Sequence, residues 1–216
     1  MAPIQLPPDA IDDLIYDART GDLAALQSDL SALSVQNGCP QAVVVACAID
    51  AEPEAEGGSG SCLLHFPAAN GNLEILSHLL QILGSSPDLS KEQIQAVINH
   101  KNHSGNTALH WAALNTHLEC VKALVEAGAD VSIQNQAGLD AIFLAERADW
   151  GTEEVSKEEE QEGVEEASAE TSAEGKDSGP MSKGRQVVEW LLASDKAGEL
   201  ESGIGGDEGT TTADEK

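Results

Sequence analysis

Cys62 and His65 are spaced C-x-x-H, and His100 and His103 are spaced H-x-x-H. Short ligand pairs of this kind close zinc tetrahedra when two of them meet. Further on, residues 107–131 read TALHWAALNTHLECVKALVEAGADV, which brings His110, Trp111, His117, Glu119 and Cys120 close together. An imidazole near a thiol is also raw material for nucleophilic catalysis. Neither chemistry is developed by its surroundings. The four cysteines, Cys39, Cys47, Cys62 and Cys120, form no C-x-x-C pair, and finger-like spacing is missing elsewhere. The sequence has no G-x-S-x-G elbow and no G-x-x-x-x-G-K-[ST] phosphate loop; the GGSG at 57–60 lacks the lysine. No catalytic residue, metal or cofactor is expected.

The elements that must hold these residues are set by a repeat. Asn102-His-Ser-Gly105-Asn-Thr-Ala-Leu-His110 aligns with Asn135-Gln-Ala-Gly138-Leu-Asp-Ala-Ile-Phe143 at a constant offset of 33. Ala112 then falls on Ala145. A 33-residue unit made of a turn and two antiparallel helices is the ankyrin period. TALHWAA resembles the ankyrin T-P-L-H-x-A-A signature with Ala108 in place of proline, and HLECVKALVEAGADV is similar to the rest of the unit. The resemblance implies that Thr107 and His110 tie one repeat to the next. Cys62 and Cys120 then act as small buried hydrophobes, and Gly128 closes a helix.

Other units are disguised by added residues. Cys62-Leu-Leu-His65-Phe-Pro-Ala-Ala-Asn-Gly-Asn-Leu73 falls in the same register, 45 residues before His110. Leu14-Ile-Tyr-Asp-Ala18-Arg-Thr-Gly21-Asp-Leu23 is a degenerate first unit, 50 residues earlier again at Leu23. The extra segments are expected to form short helices. Ser90-Lys-Glu-Gln93 is a capping box ahead of IQAVI, and Pro40 precedes QAVVVACAI. In the last unit DAIFLAER at 140–147 supplies a first helix, but VVEWLL, opposite CVKALV, arrives 67 residues later. Stretching a connection about tenfold costs about 2 kcal/mol of closure entropy. Val187, Val188, Trp190, Leu191 and Leu192 give the last helix apolar groups to dock with.

The expected fold is an all-α ankyrin-repeat solenoid over 9–195, with units at about 9–36, 57–84, 102–134 and 135–195. A long acidic insertion at 152–181 splits the last unit, and 196–216 is expected to be a disordered acidic tail. Pro67 is expected to kink the first helix of the second unit.

Composition narrows the partner. The net charge is −27 over 216 residues, the opposite sign to a nucleic-acid binder. Residues 153–178 hold 11 acids and 2 bases, net −9. A body and a loop of like sign repel unless a cation lies between them, so a basic protein is the natural ligand. The N-terminus carries acids where a signal peptide needs bases. The apolar run AVVVACAI is far short of the ~20 residues that span a bilayer. No membrane and no direct nucleic acid are expected, and the chain is read as a monomer of cytoplasm and nucleus.

The layout resembles the fungal ankyrin-repeat chaperones dedicated to a small-subunit ribosomal protein, number three. It implies an acidic escort for a newly made basic ribosomal protein in small-subunit biogenesis. The competing readings are an ankyrin adaptor, or an inhibitor subunit, in signalling or transcriptional regulation. Ankyrin partners contact turn tips and first helices. Carried over residue by residue, the candidate contacts are Phe66, Ala69 and Asn70, then His103, Ser104, Asn106, Trp111, Leu114 and Asn115, then Gln136, Ala137, Leu139 and Arg147. The acidic run adds Glu153, Glu154, Glu158, Glu159, Glu160, Glu165 and Glu166.

Overall fold

The structure, a computed structural model, describes residues 4–148 and 181–202. Among these residues the regular elements are helices, joined by one isolated antiparallel bridge between Ile49 and Cys62. No helix among them is long and apolar enough to cross a membrane.

The first pair is α1, Pro8–Thr20, and α2, Leu23–Asn37. Pro8 opens α1 where a missing N–H costs nothing. Asp22 caps α2 by accepting the Ala25 N–H at 2.9 Å. Leu14, Ala18, Leu26, Leu30 and Leu33 bury the facing stripes. The second pair is α4, His65–Asn70, and α5, Leu73–Gly84; the third is α7, Ala108–Leu114, and α8, Leu118–Glu126. A further helix, α9, runs through 141–148, and α10 spans Lys183–Ser202.

Two short helices occupy the added segments. α3, Gln41–Cys47, buries Val43, Val44 and Val45 between α2 and α5. α6, Lys91–Ile98, starts at the expected capping box: Ser90 Oγ accepts the Gln93 N–H, and Gln93 Oε1 accepts the Ser90 N–H. Among the first helices α1 contacts α4 and α4 contacts α7 directly, whereas α3 is interposed in the layer of second helices. One layer therefore contains an extra helix. The first helices form the other layer, without an inserted helix.

Three expectations change. Pro67 is the third residue of α4, within the first turn, where its missing N–H has no intrahelical partner to lose; no kink is needed. Residues 196–202, expected as tail, continue α10, a stretch in which Lys, Ala, Glu and Leu favour helix. Val187 and Leu191 are fully buried against the solenoid and α10 packs on α7 and α8, but Leu192 faces outward. The acidic candidates from Glu153 to Glu166 lie outside the described residues.

Candidate partner-binding surface

Two histidines fix the units to one another. His110 is buried, and its Nε2 donates to the Leu139 carbonyl of the next turn at 3.2 Å. Its Nδ1 accepts the Thr107 hydroxyl at 2.8 Å and the Thr107 N–H at 3.2 Å. His65 repeats the arrangement one unit earlier. Its Nε2 donates to the Asn106 carbonyl at 3.0 Å, while Nδ1 accepts the Cys62 N–H at 3.2 Å. Cys62 thus stands where the signature has threonine, with its sulfur 3.2 Å from the same ring nitrogen. The C-x-x-H spacing is the threonine–histidine bracket of the repeat. Burial pushes the Cys62 thiol up to about 12 and Cys120 to about 11, so both stay protonated and unreactive.

The H-x-x-H pair is a clamp. His100 Nε2 donates to the Gly60 carbonyl at 2.9 Å, and His103 Nδ1 donates to the Gly58 carbonyl at 3.0 Å. Among the described residues no group of three or more His, Cys, Asp or Glu is placed to hold a metal.

The turn tips stack in the same way. Asn102 Oδ1 accepts the N–H groups of Ser104 and Asn106, and Asn135 Oδ1 accepts those of Ala137 and Leu139. Backbone bonds run from His103 N–H to Ser59 O at 2.9 Å and from Gln136 N–H to Ser104 O at 3.1 Å. The Gln136 amide adds a bond to His103 O, and Asn135 Nδ2 donates to Asn106 Oδ1. A Cβ on Gly105 would lie 2.7 Å from Gln136 N, so glycine is what lets adjacent tips approach.

These bonds redistribute the candidate contacts. His103, Asn106 and Gln136 are ties between tips. Asn115 donates to Ala69 O at 3.0 Å, and Asn70 donates to Arg19 O at 2.9 Å, so both asparagines reach back to the preceding unit. The sequence register placed these residues at the surface but did not reveal their hydrogen-bond partners. Ser104, Ala137 and Arg147 are exposed, and Leu114, Leu139 and Ala69 are half-buried.

Phe66 and Trp111 are half-exposed on α4 and α7. A third aromatic was missed. Aligning LIYDARTGDL with LHWAALNTHL puts Tyr16 opposite Trp111, and Tyr16 is 66% exposed on α1. The chain is only 3% aromatic, yet each of these three first helices presents an aromatic at one register position. The alignment itself was the available signal. Two ion pairs are formed among the described residues, Lys122–Glu119 and Arg185–Glu189, each within one helix.

Helix pairs in a 33-residue register, histidine brackets and hydrogen-bonded tips define a protein-binding ankyrin solenoid. The chain belongs to the ankyrin-repeat family. A family model for ankyrin repeats in three copies matches residues 30–135. Ankyrin repeat-containing protein YAR1 of Saccharomyces cerevisiae is 37% identical over 181 residues, covering 82% of each chain. The mouse nuclear factor NF-kappa-B p105 subunit is 37% identical over 87 residues, 40% of this chain and 8% of that one. A chain in the crystal structure of yeast ribosomal protein Rps3 with its chaperone Yar1 is 36% identical, with TM-score 0.58, covering 76% of this chain and 100% of that chain.

Proposed function

We propose that this protein is a chaperone for a newly made, basic small-subunit ribosomal protein, the counterpart of yeast Rps3. The observation that carries the reading is the near full-length likeness to YAR1, at 37% identity over 82% of both chains. The signalling relative, by contrast, is similar over 40% of this chain. The acidic charge supports the same partner, since a ribosomal protein's RNA-binding surface is basic and prone to nonspecific association.

In this reading residues 9–195 form the binding body, with 152–181 as an insertion in its last unit. The aromatics Tyr16, Phe66 and Trp111 are anchors on the layer of first helices. Ser104, Leu114 and Leu139 border them, and Glu153 to Glu166 shield charge on the partner. The protein acts stoichiometrically, as a monomer without catalysis or cofactor. It meets its client in the cytoplasm and travels with it toward the nucleus. Ribosomal RNA, with its higher charge density, displaces the acidic surface at the assembling subunit.

The test is capture from lysate by the purified full-length protein at low salt, followed by mass spectrometry. One basic ribosomal protein is expected, with its yield falling steeply as salt rises. A neutral or acidic main partner, insensitive to salt, would overturn the reading.

A further inference from the structure

We propose that the cleft between the N-terminal segment and the 50–57 loop is a docking subsite for one apolar side chain of the basic client, flanked in its sequence by Lys or Arg. The proposal rests on the chaperone reading above and gives that client a second point of attachment, at the end of the stack.

The cleft has a volume of about 300 Å³, the lower end of the range for ligand pockets. Leu6, Ile11, Ala51 and Pro53 give it an apolar lining. Asp12 on one wall and Asp50 and Glu52 on the other supply carboxylates. The loop continues with Glu54 and Glu56, both exposed, so its acids fall at every second position from 50 to 56. No lysine or arginine lines the cleft. An apolar pocket ringed by uncompensated carboxylates fits an apolar side chain with cationic neighbours, and repels an acidic or phosphorylated segment.

The wall is built rather than loose. Asp50 N–H donates to Ser61 O at 3.0 Å, and the Ser59 hydroxyl donates to Asp50 Oδ2 at 2.7 Å. A Cβ on Gly58 would lie 2.0 Å from the Glu52 carbonyl oxygen, so the loop closes tightly on itself. Burial alone would raise the Asp50 carboxyl, but hydrogen bonds from Ser59 and Glu52 outweigh it and lower it. Asp50 is therefore a fixed anion at the rim. The loop also belongs to the residues added to the 33-residue period between the first two units. Helix packing is served by α3; this hydrogen-bonded acidic loop buries almost nothing of its own. Asp50 also holds Ser59, whose carbonyl receives the His103 N–H, and the exposed carboxylates at 52, 54 and 56 are what the loop offers for recognition.

Two variants of the full-length protein probe the two halves of the site. Ala51→Trp fills the cleft without changing charge, and the double variant Asp12→Lys, Glu52→Lys reverses the rim. Affinity for purified yeast Rps3 is measured by calorimetry, and thermal unfolding is followed in parallel. Each variant is expected to bind at least tenfold more weakly with an unchanged melting temperature. The rim variant should also lose part of its salt dependence, which the filled cleft should keep. If the wild type does not bind Rps3, the chaperone reading falls and this proposal with it. If the wild type binds and both variants match it, the chaperone reading stands and the cleft proposal is overturned. A lowered melting temperature for Ala51→Trp with full affinity would assign the cleft to the chain's own residues and overturn it equally.

Discussion

His65 is 2% exposed and held between two units, with each ring nitrogen already engaged. Burial pushes its pKa down to about 4, and the same cause lowers His110. Both rings work uncharged, because Nδ1 must accept from the bracket residue while Nε2 donates across the interface. The folded pKa lies below the ordinary value of about 6.5, so the unfolded chain binds the proton first as pH falls. The stabilisation is complete above pH 6.5 and is lost progressively toward pH 4, by on the order of 3 kcal/mol for His65 at the acid end. Urea unfolding should show stability rising with pH between 5 and 6.5, a window in which carboxylates remain ionised. His65→Gln should flatten that slope while lowering stability at pH 7.5 by about 1–2 kcal/mol. An unchanged slope would mean that another group carries the pH dependence. The aromatic row is tested at the same scale. Tyr16→Ala should leave stability within about 0.5 kcal/mol, as expected for an exposed side chain, yet weaken client binding about tenfold. Equal loss of stability and binding would make Tyr16 structural.

Between one helix and the next, each of the first three units turns through a left-handed residue. Gly21 has φ +88° and Gly71 has φ +73°, but the third unit places Thr116 there at φ +56°. A β-branched residue is strained in that region, so Thr116→Gly should raise stability by about 1 kcal/mol, or roughly 2–4 °C in melting temperature. A fall in stability would show that the hydroxyl or methyl of Thr116 contributes more than the strain costs. Legibility followed the same division. The third unit was readable because TALHWAAL kept the signature almost whole, and α6 because Ser90 and Gln93 form a local device visible in four residues. The Cys62–His65 bracket was readable only as burial, since a thiol in place of the threonine hides the motif. The tip network was not readable. His103, Asn106 and Gln136 are polar turn residues in sequence, and only the approach of neighbouring turns converts them from free groups into ties. Tyr16 was hidden by the degeneracy of the first unit, in which Ile15 replaces the bracket histidine. Pro67 misled because a proline inside a helix and one in its first turn differ by where the helix starts, which a degenerate motif does not fix.

Across the whole molecule the charge is distributed unevenly in a way that separates rate from affinity. Residues 153–178 carry −9 of the total −27 in about an eighth of the chain. At physiological ionic strength the Debye length is about 8 Å, so the charge of such a segment acts over short distances wherever salt reaches it. Such charge chiefly speeds encounter, whereas buried anchors set the dissociation rate. Deleting 153–178 should therefore slow association with purified Rps3 several-fold at low salt and leave dissociation within about twofold. The difference should vanish as salt rises toward 0.5 M. Stability should hold or rise slightly, because a shorter connection costs less closure entropy and the folded body loses a source of like-charge repulsion. Stopped-flow association at several salt concentrations, with thermal unfolding alongside, separates the cases. An unchanged association rate would make the segment a linker only. A large increase in dissociation rate would instead make it part of the bound interface, with its carboxylates in lasting contact with the client.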